Sequence, residues 1–140
     1  MRMMFVNLPV KDVAASRAFF SALGFTYNED YCDSSTACMV ISEMGFVMLL
    51  EHDKFQGFIE GQMADAHATT EVLTALSASS RQEVDDMLAK ALKAGAKPWK
   101  PNMDLGFMYG CSFQDLDGHV WEFVYMEQPA RPLPGTLDVA

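Results

Sequence analysis

Cysteine is scarce in this chain, and none of it is spaced as a metal or disulfide framework. Cys32, Cys38 and Cys111 are the only cysteines among 140 residues, and no two of them form a C-x-x-C pair. Disulfide-stapled secreted domains and zinc ribbons need more cysteines at closer spacing. We therefore expect reduced thiols in a cytoplasmic protein.

Long apolar runs are also missing. No run approaches the ~20 residues that a membrane-spanning helix needs. Strand-like sequence starts almost at the first residue. We expect neither a membrane span nor a secretory signal.

Basic residues are few, so the balance of charge is acidic. Ten Lys and Arg stand against 19 Asp and Glu, which gives a net charge of −9. Phosphate-rich partners would be repelled, so we expect no nucleic acid and no anionic membrane surface as a partner. A cationic ligand is compatible with this charge, although a merely soluble surface is the commoner explanation.

The sequence does contain a repeated order of elements, in which a strand is followed by a helix. Half of the residues are hydrophobic, enough for one domain with a proper core. Residues 3–10 alternate as a strand, and Asp12 is typical of the N-cap of a helix that ends near Gly24. Further on, a strand over residues 71–78 precedes a helix whose start at Ser80 has the pattern of a capping box.

Three strands follow each predicted helix, and this order defines two modules of the same kind. We place module one at about residues 3–51, a long connection at 52–70 and module two at 71–126. The tail at 127–140 is predicted to be extended or disordered because it is rich in proline. The predicted class is α+β, with two βαβββ modules whose curved mixed sheets surround a cleft and whose helices cover the outer faces.

Several short motifs in this order resemble the vicinal oxygen chelate superfamily, which includes glyoxalase I, bleomycin-resistance proteins and extradiol dioxygenases. They include Val6-Asn7-Leu8-Pro9-Val10-Lys11-Asp12, Leu23-Gly24-Phe25, Ala94-Gly95-Ala96 and Asp115-Leu116-Asp117-Gly118-His119-Val120-Trp121-Glu122. The resemblance covers roughly residues 3–126. It implies paired βαβββ modules and a homodimer.

Metal-using members of that superfamily hold the ion with four side chains, on the first and last strands of each module. The resemblance places Phe5, Leu49 (give or take one residue), Leu73 and Glu122 at these positions. Only Glu122 has a donor atom that such a metal prefers, so we expect no metal and no other cofactor. A divalent metal in a shifted site made of Glu51, Glu122 and His67 is the alternative. His119 is predicted to be a polar residue beside a turn.

Glu122 is therefore the central candidate residue. An ionised carboxylate among apolar side chains is costly unless it is protonated, is paired within the protein, or meets a ligand. Arg2, Asn7 and Tyr109 are its candidate partners. The predicted ligand cleft consists of Phe5, Asn7, Leu49, Leu73, Ala75, Tyr109, Val120, Glu122 and Val124. Four other strand residues are predicted to pack against the helices as core: Met48, Leu50, Trp121 and Phe123.

Three functions follow from this pattern. The first is a binding protein of the bleomycin-resistance type, which holds a small, partly apolar or cationic molecule without a metal. The second is an enzyme of the glyoxalase-like lyase class, with Glu122 as general base or with a rebuilt metal site. The third is a structural or regulatory dimer without small-molecule chemistry.

Overall fold

The computed structural model describes residues 1–127 of the protein. The first half contains strands β1 (Met4–Val10), β2 (Thr26–Tyr27), β3 (Thr36–Val40) and β4 (Gly45–Glu51), and helix α1 (Val13–Ala22). The second half contains strands β5 (Leu73–Ser77), β6 (Lys97–Pro98), β7 (Met103–Asp104), β8 (Met108–Gln114) and β9 (Val120–Met126), and helix α3 (Arg81–Lys93). A short helix, α2 (His52–Gln56), opens the connection between them.

The strands form two mixed sheets with matching topology. The first sheet has the order β1-β4-β3-β2, and the second has the order β5-β9-β8-β6 with β7 also paired to β8. In each sheet the first strand runs parallel to the last, while the other pairings are antiparallel. The predicted α+β class with two mixed sheets is confirmed.

The two long helices begin where the sequence predicts. The Asp12 side chain accepts a hydrogen bond from the backbone N–H of Ala15, and the Ser80 hydroxyl accepts one from the N–H of Glu83. These bonds satisfy amides that have no partner inside the helix. Both helices end before a glycine with positive φ, Gly24 and Gly95.

The helix-bearing sides of the two sheets share one hydrophobic core. The α1 residue Phe20 meets Trp121 of β9 with ring centroids 5.0 Å apart, and Phe19 meets Phe113 of β8 at 6.3 Å. Val47 and Leu49 of the first sheet belong to the same buried cluster. The helices were predicted to cover the outer faces of a cleft, and they lie on the side where the two sheets are joined. The opposite face of each sheet points away from this core.

None of the helices within residues 1–127 is long and apolar enough to cross a membrane. The tail predicted to be extended or disordered lies outside the described residues, apart from Glu127.

Candidate functional site

Glu122 lies in the middle of the open face of the second sheet, meaning the face that carries no helix. The register sets it opposite Ala75 of β5 on one side and Ser112 of β8 on the other. Its side chain is half-buried. Within residues 1–127 no hydrogen bond or ion pair reaches its carboxylate, so its predicted pairing with Arg2, Asn7 or Tyr109 is not formed.

The open face of the first sheet is more apolar. Phe5 lies opposite Phe46 of β4, and their rings stack with centroids 5.0 Å apart at an angle of 15°. Asn7 lies opposite Met48. Asn7 and Ala75 each lie five residues before the N-cap of their module's helix. Met48 is therefore the counterpart of Glu122 in the first module.

The predicted position of Leu49 on the cleft face is wrong. Leu49 is 0% exposed and belongs to the shared core, because its register partner in β1 is Leu8, on the helix-bearing side. Met48 and Leu50, predicted to pack against the helices as core, share the open-face parity of Phe5 and Asn7 instead, although Leu50 is buried as predicted, at 4% exposed. The run Phe46–Leu50 is apolar throughout, so its alternation could not be read from the sequence.

The predicted position of Tyr109 on the cleft face is also wrong. Tyr109 lies on the helix-bearing side of β8, where its hydroxyl donates to Asp85 of α3 at 2.6 Å. That bond raises the pKa of Tyr109. The guanidinium of Arg81 lies over its ring, 5.0 Å from the centroid. The sequence contained a sign of this position, because Tyr109 alternates in phase with the apolar residues Cys111 and Phe113, which are both buried.

The other predicted cleft residues lie on the two open faces, but these faces do not enclose a cleft within one chain. Phe5 is 48% exposed and Leu73 is 50% exposed. Ala75 is exposed and Val124 is half-buried on the same face as Glu122. Trp121 and Phe123 are buried against the helices, as predicted.

The turn before β9 joins the two modules. This role of the turn was not predicted from the sequence. The Asp117 carboxylate accepts the backbone N–H of Lys11 at 2.8 Å and the hydroxyl of Ser16 at 3.4 Å. The imidazole of His119 donates from Nε2 to the carbonyl of Pro9 at 2.7 Å. Both groups reach the first module from the second, so His119 is more than a polar residue beside a turn.

Asp115 holds this turn together from inside. One carboxylate oxygen accepts the backbone N–H groups of Asp117 and His119, and the other accepts the indole N–H of Trp121 at 2.9 Å. Burial raises the pKa of Asp115, and the nearby His119 and the indole N–H oppose that rise. The regular spacing of acidic residues in the motif thus serves the turn and the junction.

The connection after α2 closes over this junction. Gly118 has a φ of +86°, and a Cβ placed on it would lie 2.7 Å from the backbone N of His67 and 2.8 Å from the carbonyl carbon of Ala66. Beneath the connection is a cavity of about 190 Å³. Asn7 and Val120, both predicted for the ligand cleft, line this cavity, and Val120 is only 2% exposed.

Comparison with known proteins identifies the fold. A family model for the N-terminal part of bleomycin-resistance-like proteins matches residues 2–42. A glyoxalase-related enzyme from Fulvimarina pelagi superimposes with a TM-score of 0.77 at 16% identity, covering 96% of this chain and 94% of that one. The fold is that of the vicinal oxygen chelate superfamily. The fold that the resemblance implied is confirmed.

Two further structures show how widely this fold is shared. A hypothetical protein from S. aureus is 28% identical, with a TM-score of 0.76 over 89% of this chain and 94% of that one. A fosfomycin resistance protein from Listeria monocytogenes is 19% identical, with a TM-score of 0.64 over 89% and 93%. No curated protein matches the sequence significantly.

The vicinal oxygen chelate fold implies a metal position, and the donor set of this chain does not fit it. The residues on the open faces at the first and last strands are Phe5, Met48, Leu73 and Glu122, which offer a single carboxylate. Within residues 1–127 no three His, Cys, Asp or Glu side chains converge to hold an ion. The alternative set of Glu51, Glu122 and His67 is not brought together, because Glu51 accepts the N–H of Val13 beside α1 and His67 lies in the connection.

Proposed function

We propose that this protein binds a small, partly apolar molecule on its open sheet faces without a metal. The family whose model matches residues 2–42 is named for resistance to a drug, bleomycin. The observation that carries the proposal is Glu122, a half-buried carboxylate without a protein partner among the described residues. Its neighbours on both open faces are mainly apolar. A few polar groups on an apolar wall are typical of sites for small organic molecules.

A cationic group on the ligand fits this arrangement best. A cation would offset the cost of keeping the Glu122 carboxylate charged among Val120, Val124 and Ala75. The net charge of −9 would favour the approach of such a ligand.

We further propose that two copies of the chain form the site. Phe5 and Leu73 are half-exposed, and each module presents only one wall. Exposed apolar side chains on such a face commonly mark an interaction surface. In a homodimer, the open face of module one would meet the open face of module two of the second copy and enclose Glu122.

Isothermal titration with 2-phenylethylamine, a cation with an apolar ring, tests the binding proposal. We expect binding by the wild type, and Glu122→Gln should weaken it about five- to ten-fold, roughly the loss of one charge-assisted contact. The neutral 2-phenylethanol should bind more weakly than the amine. Glu43→Gln, which removes an exposed carboxylate from the turn before β4, is the matched control and should bind like the wild type. Equal binding of amine and alcohol, or an unchanged affinity in Glu122→Gln, contradicts the proposal.

Elemental analysis of protein purified without chelator tests the metal-free part. We expect no stoichiometric Ni, Zn, Mn or Fe, because the donor set lacks three of the four ligands that such a site uses. Stoichiometric metal that disappears in Glu122→Gln would overturn this part.

A glyoxalase-like lyase is the second candidate. The same carboxylate favours it, since a carboxylate with apolar neighbours and without a protein partner is suited to act as a general base. Isomerisation of α-keto hemithioacetals by the wild type, abolished in Glu122→Gln and retained in Glu43→Gln, would favour it over the binding protein. If neither activity nor binding is found, a structural or regulatory dimer remains.

A further inference from the structure

Cys32 and Cys38 lie beside each other in the first module, six positions apart in the sequence. The sulfur of Cys32 accepts the backbone N–H of Cys38 at 3.3 Å, and it donates to the carbonyl of Asn28 at 3.2 Å. The Cys38 side chain branches from the α-carbon next to that same nitrogen. Both sulfur atoms therefore lie close to one backbone N–H group.

The backbone holds the two cysteines in this arrangement. A single 3-10 turn, Glu29–Tyr31, separates Asn28 from Cys32. The N–H of Asn28 donates to the carbonyl of Cys38 at 2.9 Å, so both ends of the turn are bonded to the same residue of β3. On the other side of β3, Cys38 lies opposite Met48 of β4. The approach of the two cysteines is thus part of the fold of the first module.

The two thiols differ in their access to solvent. Cys32 is half-buried, whereas Cys38 is only 1% exposed. Burial raises the pKa of Cys38, and the nearby sulfur of Cys32 acts in the same direction. An oxidant reacts with the thiolate form of an accessible cysteine. We therefore expect Cys32 to react first and Cys38 to react with the product.

We propose that Cys32 and Cys38 are a redox-active pair that a hydroperoxide converts into a disulfide. The Cys32 thiolate attacks the O–O bond of hydrogen peroxide, which breaks, and the products are a sulfenic acid and water once the thiol proton has been transferred. Rotation of the side chains about their Cα–Cβ bonds then brings the sulfurs to the S–S distance of about 2.05 Å. The Cys38 sulfur displaces the sulfenic oxygen, which leaves as a second water.

The reaction balances without any group from outside except the peroxide. The two thiols lose two electrons and two protons, and one hydrogen peroxide becomes two waters. A small dithiol reverses the change by thiol–disulfide exchange and is itself oxidised. Such a reversible pair agrees with the expectation of reduced thiols, since disulfides in reducing compartments are usually transient and redox-sensing.

Peroxide treatment of the reduced, folded protein tests the proposal. We expect the loss of two of the three thiols, and their return after treatment with dithiothreitol. No Lys or Arg lies between Arg17 and Lys54, so both cysteines are in the tryptic peptide 18–54, which should lose the mass of two hydrogens. Cleavage before Asp33 should then give two peptides that stay joined until they are reduced.

Serine variants assign the role of each thiol. Cys32→Ser should form no disulfide, and Cys38→Ser should stop at a sulfenic acid on Cys32 that dimedone traps. Cys111→Ser is the matched control, because Cys111 is buried in the second module and its thiol donates to the carbonyl of Val84 at 3.6 Å. It should form the disulfide like the wild type, and so should Glu122→Gln. Circular dichroism establishes that each variant is folded.

Three results would overturn the proposal. The first is a wild type whose thiols survive peroxide or are oxidised without a disulfide. The second is a disulfide that involves Cys111 or joins two chains on a non-reducing gel. The third is a trapped sulfenic acid in Cys32→Ser but not in Cys38→Ser, which would make Cys38 the thiol that reacts first.

Discussion

Glu122 owes its position to strand register and not to any bond of its own carboxylate. Ala75 and Ser112 flank it, and the Ser112 hydroxyl accepts the backbone N–H of Lys100 at 3.2 Å. The sheet thus sets the position of Glu122, while none of residues 1–127 pairs with its carboxylate. By contrast, Asp115 has three N–H donors and no role outside the turn.

Gly118 is the residue whose replacement should destabilise the junction most directly. Gly118→Ala adds a Cβ that meets the backbone of Ala66 and His67, in addition to the strain of a positive φ. We expect a loss of at least about 2 kcal/mol in the free energy of unfolding, since the positive φ alone costs about 1–2 kcal/mol. Urea denaturation measures the loss.

Gly61→Ala is the matched control for that prediction. Gly61 also has a positive φ, of +80°, but nothing lies within 4 Å of an added Cβ. It should lose only the conformational part, about 1–2 kcal/mol, and so less than Gly118→Ala. Equal losses in both variants would mean that the connection does not press on Gly118.

At the scale of elements, alternation predicts a strand's faces only where its two sides differ in polarity. In β1 the predicted sides are observed, and in β9 Trp121 and Phe123 face the core. In β4 every residue from Phe46 to Leu50 is apolar. Only the pairing with β1 therefore shows that Leu49 lies on the helix-bearing side and Met48 on the open face. In β8 the alternation does indicate the faces, because Tyr109 is in phase with the apolar residues Cys111 and Phe113. The prediction that Tyr109 lies on the cleft face was therefore wrong for a reason that the sequence contained.

An ion pair with a predictable pH dependence fixes helix α2 to the turn before β3. Lys54 Nζ lies 2.9 Å from Asp33 Oδ2 and also donates to the hydroxyl of Thr36. The bond from Lys54, with the backbone N–H of Ser35, holds the pKa of Asp33 well below its usual range. A lowered pKa in the folded state stabilises the fold above the ordinary value of about 3.9, and this stabilisation is lost as the pH falls through the lowered value.

Lys54→Met should therefore lower the urea midpoint slightly at pH 7, and the difference from the wild type should fade as the pH falls below about 4. Both partners are partly exposed, so solvent screening keeps the effect small. Urea midpoints across this pH range provide the measurement. Lys97→Met is the control and should show no such pH-dependent difference; a constant difference for Lys54→Met would indicate lost packing instead of lost charge.

At the scale of the whole molecule, the shared core decides where a ligand site forms. Because the helix-bearing sides of both sheets are joined through α1, each open face needs a second surface to become a wall of a cleft. A second copy of the chain supplies that surface in our proposal. The cavity beneath the connection, in contrast, is lined entirely by residues of one chain.

The oligomeric state is tested by placing a charge on the open faces. We expect the wild type to sediment as a dimer, and Phe5→Glu and Leu73→Glu to sediment as monomers, because each buries an unpaired carboxylate in the interface. Tyr31→Glu is the control, since Tyr31 is exposed outside the open faces and should leave the dimer intact. A monomeric wild type, or a dimer that both open-face variants leave unchanged, would contradict the proposed interface.

The amino-acid sequence alone predicts the order of the long strands and helices, both helix starts and the fold. These features depend on local chemistry, such as the caps at Asp12 and Ser80, or on short motifs in a fixed order. It also determined that one carboxylate, Glu122, stands on the open face among apolar positions. What lies around that carboxylate depends on the folded chain, because its neighbours come from strands far apart in the sequence. Folding places Met48 instead of Leu49 at the position that matches Glu122, and it pairs Tyr109 with Asp85 of α3. It also makes the Asp115–His119 turn the junction between the two modules.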